Sequence, residues 1–312
     1  MAGKKPKFAI LFILWVALSA ALFFCAVKFG DKNEVQRQNF AAKNAPSEIS
    51  VASWNFENYS SASRIIDGKF SPKYPKTESE KRRIVEIISQ TNPDILFIQE
   101  MGAENFAEFL ERLKSANLSY PFCEILQTSD AARCLAVVSK VPFGKVFKFD
   151  NLQFAYMGKP AKSPRGMLGV KVGNFYLFTA HLKSRRNGKN TDKHYKIFRK
   201  AETSQTAKKL AAFSGQRLLI CGDFNSEPND ACIDEFRNTA YLSVLPQADK
   251  DGESYTLTWK QGKKRAMFDF FLVSEAAKPY AQKCALVCDT KGASDHRIIV
   301  LKLICYDNPK RL

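Results

Sequence analysis

Leu218-Leu219-Ile220-Cys221-Gly222-Asp223-Phe224-Asn225-Ser226-Glu227-Pro228 is the stretch from which the rest of the chain can be read. A continuous apolar run that ends in glycine predicts a strand buried on both faces and emerging at a sheet edge. It delivers Asp223 and Asn225 two residues apart, so both side chains leave the strand end on one side. A carboxylate beside an amide, fixed in that way, is able to orient a water or complete the ligand sphere of a hard cation. The plainer reading is that Gly, Asp, Asn, Ser and Pro simply make a turn. The chemical reading gains weight because other predicted strand ends carry matching groups.

Upstream, residues 49–54 alternate as a strand does and exit at Asn55. Residues 60–76 read as a basic, proline-containing loop. Thr77 with Glu80 makes a capping box for a helix with Ile84, Ile87 and Ile88 on one face, and Asn92-Pro93-Asp94 stops it. Residues 95–98 are then a buried strand ending at Gln99-Glu100. This strand, helix, strand spacing predicts an α/β sandwich. A second amphipathic helix is expected over residues 105–116. Residues 122–127 and 133–139 flank a short polar turn; pairing Gln127 with Asp130 sets Cys123 opposite Cys134, where a disulfide and two free thiols are both compatible. Residues 169–172 and 175–179 read as a hairpin whose second strand runs out at His181. A helix to about residue 213 leads into the organising strand. Asp269 lies in a strand over residues 267–273, and Ser294-Asp295-His296-Arg297 precedes a last strand over 298–304.

Composition narrows the partners. Lys and Arg total 48 against 31 Asp and Glu, a formal charge of +17, which favours an anionic partner such as nucleic acid or an acidic membrane surface. The densest basic segment, residues 183–200, holds Lys183, Arg185, Arg186 and Lys189 in its first half; it is either a solvated face or an anion contact. Eight cysteines without a CxxC pair exclude a zinc cluster or a dithiol redox motif, so any metal is held by oxygen. At the N-terminus, Lys4, Lys5 and Lys7 precede an apolar run over residues 8–27, about the 20 residues that span a bilayer. The expected organisation is a membrane anchor or signal helix over 1–28, a polar tether over 29–47 and one catalytic domain over 48–312. The basic flank places that domain outside the cytoplasm, tethered if the helix is retained, secreted or periplasmic if it is cleaved.

Taken together, Trp54-Asn55, Gln99-Glu100, Thr179-Ala180-His181, Gly222-Asp223-Phe224-Asn225-Ser226, Phe268-Asp269-Phe270-Phe271 and Ser294-Asp295-His296-Arg297 resemble, in order, the motifs of the endonuclease/exonuclease/phosphatase superfamily over about residues 48–305. The resemblance implies a four-layer α/β sandwich, two mixed β-sheets packed face to face with outer helices. It implies Mg²⁺ or Mn²⁺ bound by Glu100, with Asn55 and Asp295 close to the same ion. Asp223 would orient or deprotonate the attacking water and Asn225 would help hold the phosphate. His296, polarised by Asp269, would act as general base or stabilise the transition state, and His181 would bond a phosphate oxygen or assist the leaving group. Arg165, Lys183, Arg185 and Arg186 are weaker candidates for phosphate contacts. The expected activity is metal-dependent phosphodiester hydrolysis, with nucleic acid as the leading substrate. A phospholipid or inositol phosphate is the alternative, and a binding module that has lost activity a minor one. Phe268-Asp269-Phe270-Phe271 lacks the Trp-Cys-Asp-Arg signature of inositol 5-phosphatases, which weighs against that branch. No protein partner is inferable.

Overall fold

The structure, a computed structural model, describes residues 47–185, 193–259 and 264–305, all within one compact unit spanning Ala45–Leu312. The apolar run at residues 8–27, on which the membrane expectation rests, lies outside the described residues. Among those described, no helix is long and apolar enough to cross a membrane.

Two mixed sheets carry the fold. The first has seven strands: β1 (Glu48–Tyr59), β4 (Ile95–Met101), β5 (Phe122–Leu126), β6 (Cys134–Ser139), β14 (Gln247–Ala248), β18 (Ala285–Cys288) and β19 (Ile298–Ile304), ordered β14-β18-β19-β1-β4-β6-β5. The second has six: β7 (Lys145–Phe149), β10 (Met167–Val172), β11 (Phe175–His181), β12 (Arg217–Asp223), β13 (Leu242–Val244) and β17 (Asp269–Ser274), ordered β13-β17-β12-β11-β10-β7. Within them β1 pairs with β4, and β11 with β12, in parallel.

Alternation along the strands assigns the layers. In β1, Ile49 and Val51 join a core shared with Leu168, Val170, Leu219 and Phe271 of the second sheet, so this cluster fills the space between the sheets. The intervening Ala52, Trp54 and Phe56 point the other way, onto Ile84, Ile87 and Ile88 of α1 (Glu78–Thr91) and Phe109 and Leu113 of α2 (Phe106–Ser115). On the far side Phe178, Ile220 and Phe270 pack on Ala207 and Leu210 of α3 (Lys193–Leu210) and Phe236 of α4 (Asp234–Ala240). A strand buried on both faces must be apolar at every position, which is why Leu218–Cys221 shows no alternation. The result is helix, sheet, sheet, helix, the layering the resemblance implies. The capping box at Thr77 and Glu80 is present.

Three local expectations are corrected. Residues 60–76 are not a loop but contain a hairpin, β2 (Ala62–Ile66) and β3 (Lys69–Tyr74), closed by Asp67-Gly68 with φ of 49° and 75°. Positive φ at both central positions is what a tight twisted hairpin needs, and its exposed apolar residues gave no burial alternation to read. Cys123 and Cys134 do not face each other: Leu126 pairs with Leu135 and Cys123 with Val138, and both thiols are free. The turn is longer than four residues because Asp130 is held by Arg133 and Arg165, so the register slides. β1 also runs beyond Trp54, through Asn55 to Tyr59. A further small hairpin, β8 (Gln153–Tyr156) with β9 (Lys159–Lys162), packs Phe154 and Tyr156 on Phe198 of α3; β15 (Leu257–Trp259) pairs with β16 (Lys264–Ala266).

Candidate active site

The site forms where the two sheets end side by side. Register in the second sheet aligns His181 of β11, Asp223 of β12 and Asp269 of β17 across three neighbouring strands. In the first sheet Asn55 pairs with Gln99, which sets Glu100 just past it. The Asn55 amide crosses between the sheets and donates to Asp223 Oδ2 at 3.0 Å. Gly222 makes the exit possible: at φ 138° a Cβ there would lie 2.0 Å from the Ala180 carbonyl oxygen. Four non-glycine residues of the site, Glu57, Asn58, Glu100 and Asn225, have positive φ. Each costs about 1 kcal/mol or more, strain that the surrounding core must hold in place.

One half of the site is built from carboxylate and imidazole. His296 Nδ1 lies 2.8 Å from Asp269 Oδ2, and its Nε2 faces Asp223 Oδ2 at 3.7 Å and Asp295 Oδ1 at 3.9 Å. Burial opposes a charge on His296, but Asp269, Asp223 and Asp295 outweigh it and hold its pKa well above the ordinary histidine range. Trp54 Nε1 donates to the His296 carbonyl at 3.0 Å and so fixes its backbone. Asp223 is buried, yet the charges of His296 and His181 and the Asn225 backbone N–H keep it ionised far below the usual carboxylate range. His181 Nε2 sits 3.3 Å from Asp223 Oδ2 and 3.8 Å from Glu100 Oε1. Asp223 Oδ2 is therefore the common neighbour of Asn55, His181 and His296. The Asn225 backbone N–H donates to Asp223 Oδ1 at 2.8 Å, and its side-chain amide donates to the Leu182 carbonyl at 3.0 Å, leaving a second amide hydrogen.

The other half is acidic. Partial burial works against ionisation of Glu100, but the field of His181, Arg165, Arg133 and His296 keeps its pKa below the ordinary value. Its Oε2 accepts the Asn58 N–H at 2.7 Å, and Oε1 has Arg133 4.0 Å away. Glu57, two residues past Asn55 and not singled out from the sequence, accepts the Asp295 N–H at 3.0 Å and is pushed up to about 7, by burial first and by the Asp295 charge second. Half-buried carboxylates that repel each other, as Glu57 and Asp295 do, are what a hard cation relieves, and the donor set is all oxygen. Glu100, Asp295 and Glu57 are the oxygen donors that could take a divalent ion on this side, with Asn55 Oδ1, which accepts the Glu57 N–H at 2.9 Å, next to Glu57. Among the described residues, the group of carboxylate and imidazole donors that lie within 4.8 Å of one another is Asp223, Asp269 and His296. We assign that cluster to proton chemistry, because His296 Nδ1 and Asp269 Oδ2 are bonded to each other at 2.8 Å.

The basic candidates have protein partners. Arg165 is buried, bonding the Leu182 carbonyl at 3.1 Å and Asp130 at 3.3 Å. Arg185 bonds Asp230 and the Asn225 carbonyl and stacks over Phe268, so it braces the loop that carries Asn225. Lys183 is half-buried with Nζ 4.2 Å over the Tyr195 ring. Arg186 and His194 cannot be placed, since their side chains fall outside the described residues. Arg133, which carried no sequence signal, remains half-exposed beside Glu100.

Comparisons with known proteins agree with this geometry. The profile of the Endonuclease/Exonuclease/phosphatase family matches residues 52–296. No curated protein sequence matches significantly. Among solved structures, the human Nocturnin catalytic domain with bound sulfate shares 21% identity, covering 82% of this chain and 93% of that one, with a TM-score of 0.55. Truncated Caenorhabditis elegans TDP2 shares 20%, covering 82% and 98%, at 0.54. A Staphylococcus aureus beta toxin structure (275-280) shares 16%, covering 81% and 99%, at 0.57. With its ordered motifs gathered at one sheet end and a matching profile over most of its length, the chain belongs to the endonuclease/exonuclease/phosphatase family of metal-dependent phosphoric ester hydrolases.

Proposed function

We propose that the protein is a Mg²⁺- or Mn²⁺-dependent nuclease that hydrolyses nucleic-acid phosphodiester bonds. The observation that carries the chemistry is the convergence of His181, His296 and Asn55 on Asp223 Oδ2, beside the acidic group of Glu100, Glu57 and Asp295. The charge of +17 supports a polyanionic substrate, since affinity for nucleic acid rests on phosphate neutralisation.

Each side chain has a part. Asp223, ionised and held on both oxygens, orients the attacking water and accepts its proton. His296, kept protonated by Asp269, donates from Nε2 to a phosphoryl oxygen as charge develops there. His181 Nε2 and the free hydrogen of the Asn225 amide position the same phosphate. A divalent ion at Glu100 and Asp295 would add Lewis-acid polarisation of the phosphoryl group.

The apolar run at residues 8–27 with its basic flank supports a further proposal, that the domain is tethered to the membrane and faces away from the cytoplasm. Added protease should digest the domain on intact cells or spheroplasts; protection until lysis would reverse that topology. The substrate is tested by incubating the protein with duplex DNA, single-stranded DNA, RNA, sphingomyelin and inositol phosphates, with Mg²⁺, Mn²⁺ or chelator. Cleavage of a nucleic acid, abolished by chelator, is expected. Turnover confined to sphingomyelin or inositol phosphates would replace the nuclease reading with the lipid one.

A further inference from the structure

The β2–β3 hairpin leaves β1 immediately after the residues that shape the acidic half of the site. Arg64 ties it there: Nη2 donates to the Asn58 carbonyl at 2.6 Å and to the Ser60 carbonyl at 3.3 Å, and Nε donates to the Tyr74 carbonyl at 3.3 Å. Asn58 in turn donates its N–H to Glu100 Oε2. The hairpin is therefore two hydrogen bonds from the carboxylate assigned to the metal.

Its outer face is unusual for a surface. Ile65 and Phe70 are directly paired across the two strands, and each is 67% exposed. Side chains at paired positions share one face, so the two form a continuous apolar plate. Exposed Lys73 follows at the register shift of the same strand, and exposed Lys69, paired with Ile66, lies at the turn on the opposite face. A plate of this kind next to a hydrolytic centre is where a substrate polymer would be gripped. The turn decides between two kinds of partner. An element that enters a bilayer leads with apolar residues, whereas this hairpin leads with Asp67-Gly68 followed by Lys69. Its apolar pair lies flat along one side, and a flat apolar and aromatic surface flanked by a cation matches an unstacked base and its neighbouring phosphate.

We propose that this face of the β2–β3 hairpin binds single-stranded or locally unpaired nucleic acid, with Phe70 and Ile65 packing on a base, Lys73 meeting a backbone phosphate, and the scissile phosphate at Asp223 and His296. The proposal rests on the nuclease reading and adds to it a preference for unpaired substrate, because the bases of a duplex are stacked within the helix and offer no free face.

The test uses the full chain, a Phe70→Ala/Ile65→Ala variant and a Phe70→Trp variant. Three ligands are compared: a single-stranded oligodeoxynucleotide, bis(p-nitrophenyl) phosphate, and phosphatidylcholine vesicles with phosphatidylserine. For the double variant, KM on the oligonucleotide should rise about tenfold, the loss expected for one stacked base, with bis(p-nitrophenyl) phosphate turnover unchanged. The Phe70→Trp protein should keep the wild-type KM, and its added tryptophan emission should be quenched by the oligonucleotide. An unchanged oligonucleotide KM in the double variant would overturn the hairpin proposal and leave the nuclease reading standing. Loss of vesicle binding with an unchanged oligonucleotide KM would assign the hairpin to a lipid surface instead. A wild-type protein that hydrolyses bis(p-nitrophenyl) phosphate but no nucleic acid would remove both readings.

Discussion

The two halves of the site lie side by side at the sheet ends but are in different electrostatic states. Around Asp223 and Asp269 every carboxylate has a positive or hydrogen-bonding neighbour: His296 at 2.8 Å from Asp269, His181 at 3.3 Å and the Asn55 amide at 3.0 Å from Asp223. Around Glu57 and Asp295 like charges meet, and Glu57 is driven up to about 7. Compensation differs in degree: Asp295 still has His296 Nε2 at 3.9 Å, and Asp269 is itself raised by burial and by the Asp223 charge. That difference is the ground on which we place the proposed cation at Glu100, Glu57 and Asp295 and the acid–base work at His296.

The largest effect should come from breaking the acidic half. Glu100→Gln removes a charge but keeps the shape and the hydrogen bond from Asn58, so the protein should fold while activity falls about a hundredfold or more, several kcal/mol of lost transition-state stabilisation. Steady-state hydrolysis over a wide Mg²⁺ range checks this.

Next is the paired half. Asp269→Asn withdraws the charge that, with Asp223 and Asp295, raises His296. A histidine raised in the folded protein keeps its proton above the pH at which a free imidazole loses it. The stabilisation this gives is fully present below about 6.5, the unperturbed histidine value, and is lost as pH rises through the folded value. The active form, with His296 protonated, should therefore persist into alkaline solution. In Asp269→Asn the alkaline limb of kcat should move to lower pH, and kcat should fall about a hundredfold, the scale of a lost acid–base partner. An alkaline limb unmoved by the substitution would detach His296 from that limb.

Glu57→Gln is a milder probe. It relieves the repulsion with Asp295, so the Mg²⁺ concentration for half-maximal rate should rise about tenfold while saturated turnover changes little. The smallest effect belongs to the scaffold behind His296. Trp54→Phe keeps the packing on Phe56 but deletes the hydrogen bond to the His296 carbonyl, costing about 1–3 kcal/mol of stability by denaturant unfolding for the buried acceptor it leaves unpaired.

How much of this could be read beforehand follows from what each residue signals. Leu218–Cys221 and Ile298–Leu301 were legible because strand segments buried on both faces are apolar throughout, and they brought Asp223 and the Asp295-His296 pair to strand ends. Glu57 was hidden because β1 was expected to stop near Trp54. Instead the strand kinks through Glu57 and Asn58 at φ 50° and 54°, which swings the carboxylate under Asp295. Arg165 was read from its place before a strand in the family resemblance, and Arg185 from the charge of its segment. Their partners, Asp130 and Asp230, lie 35 and 45 residues away, and no local pattern announces a pairing of that span. The β2–β3 hairpin was missed for the opposite reason: its apolar residues are exposed, so the usual link between apolarity and burial does not hold there.

The central claim is that the cation belongs to Glu100 and its acidic neighbours and not to the Asp223, Asp269 and His296 cluster. Mn²⁺ binding to the wild type, Glu100→Gln and Asp269→Asn, followed by electron paramagnetic resonance of the free ion, tests it without any turnover. Binding should be lost or greatly weakened in Glu100→Gln and retained in Asp269→Asn; retention in Glu100→Gln with loss in Asp269→Asn would place the metal in the histidine half and contradict the division of the site.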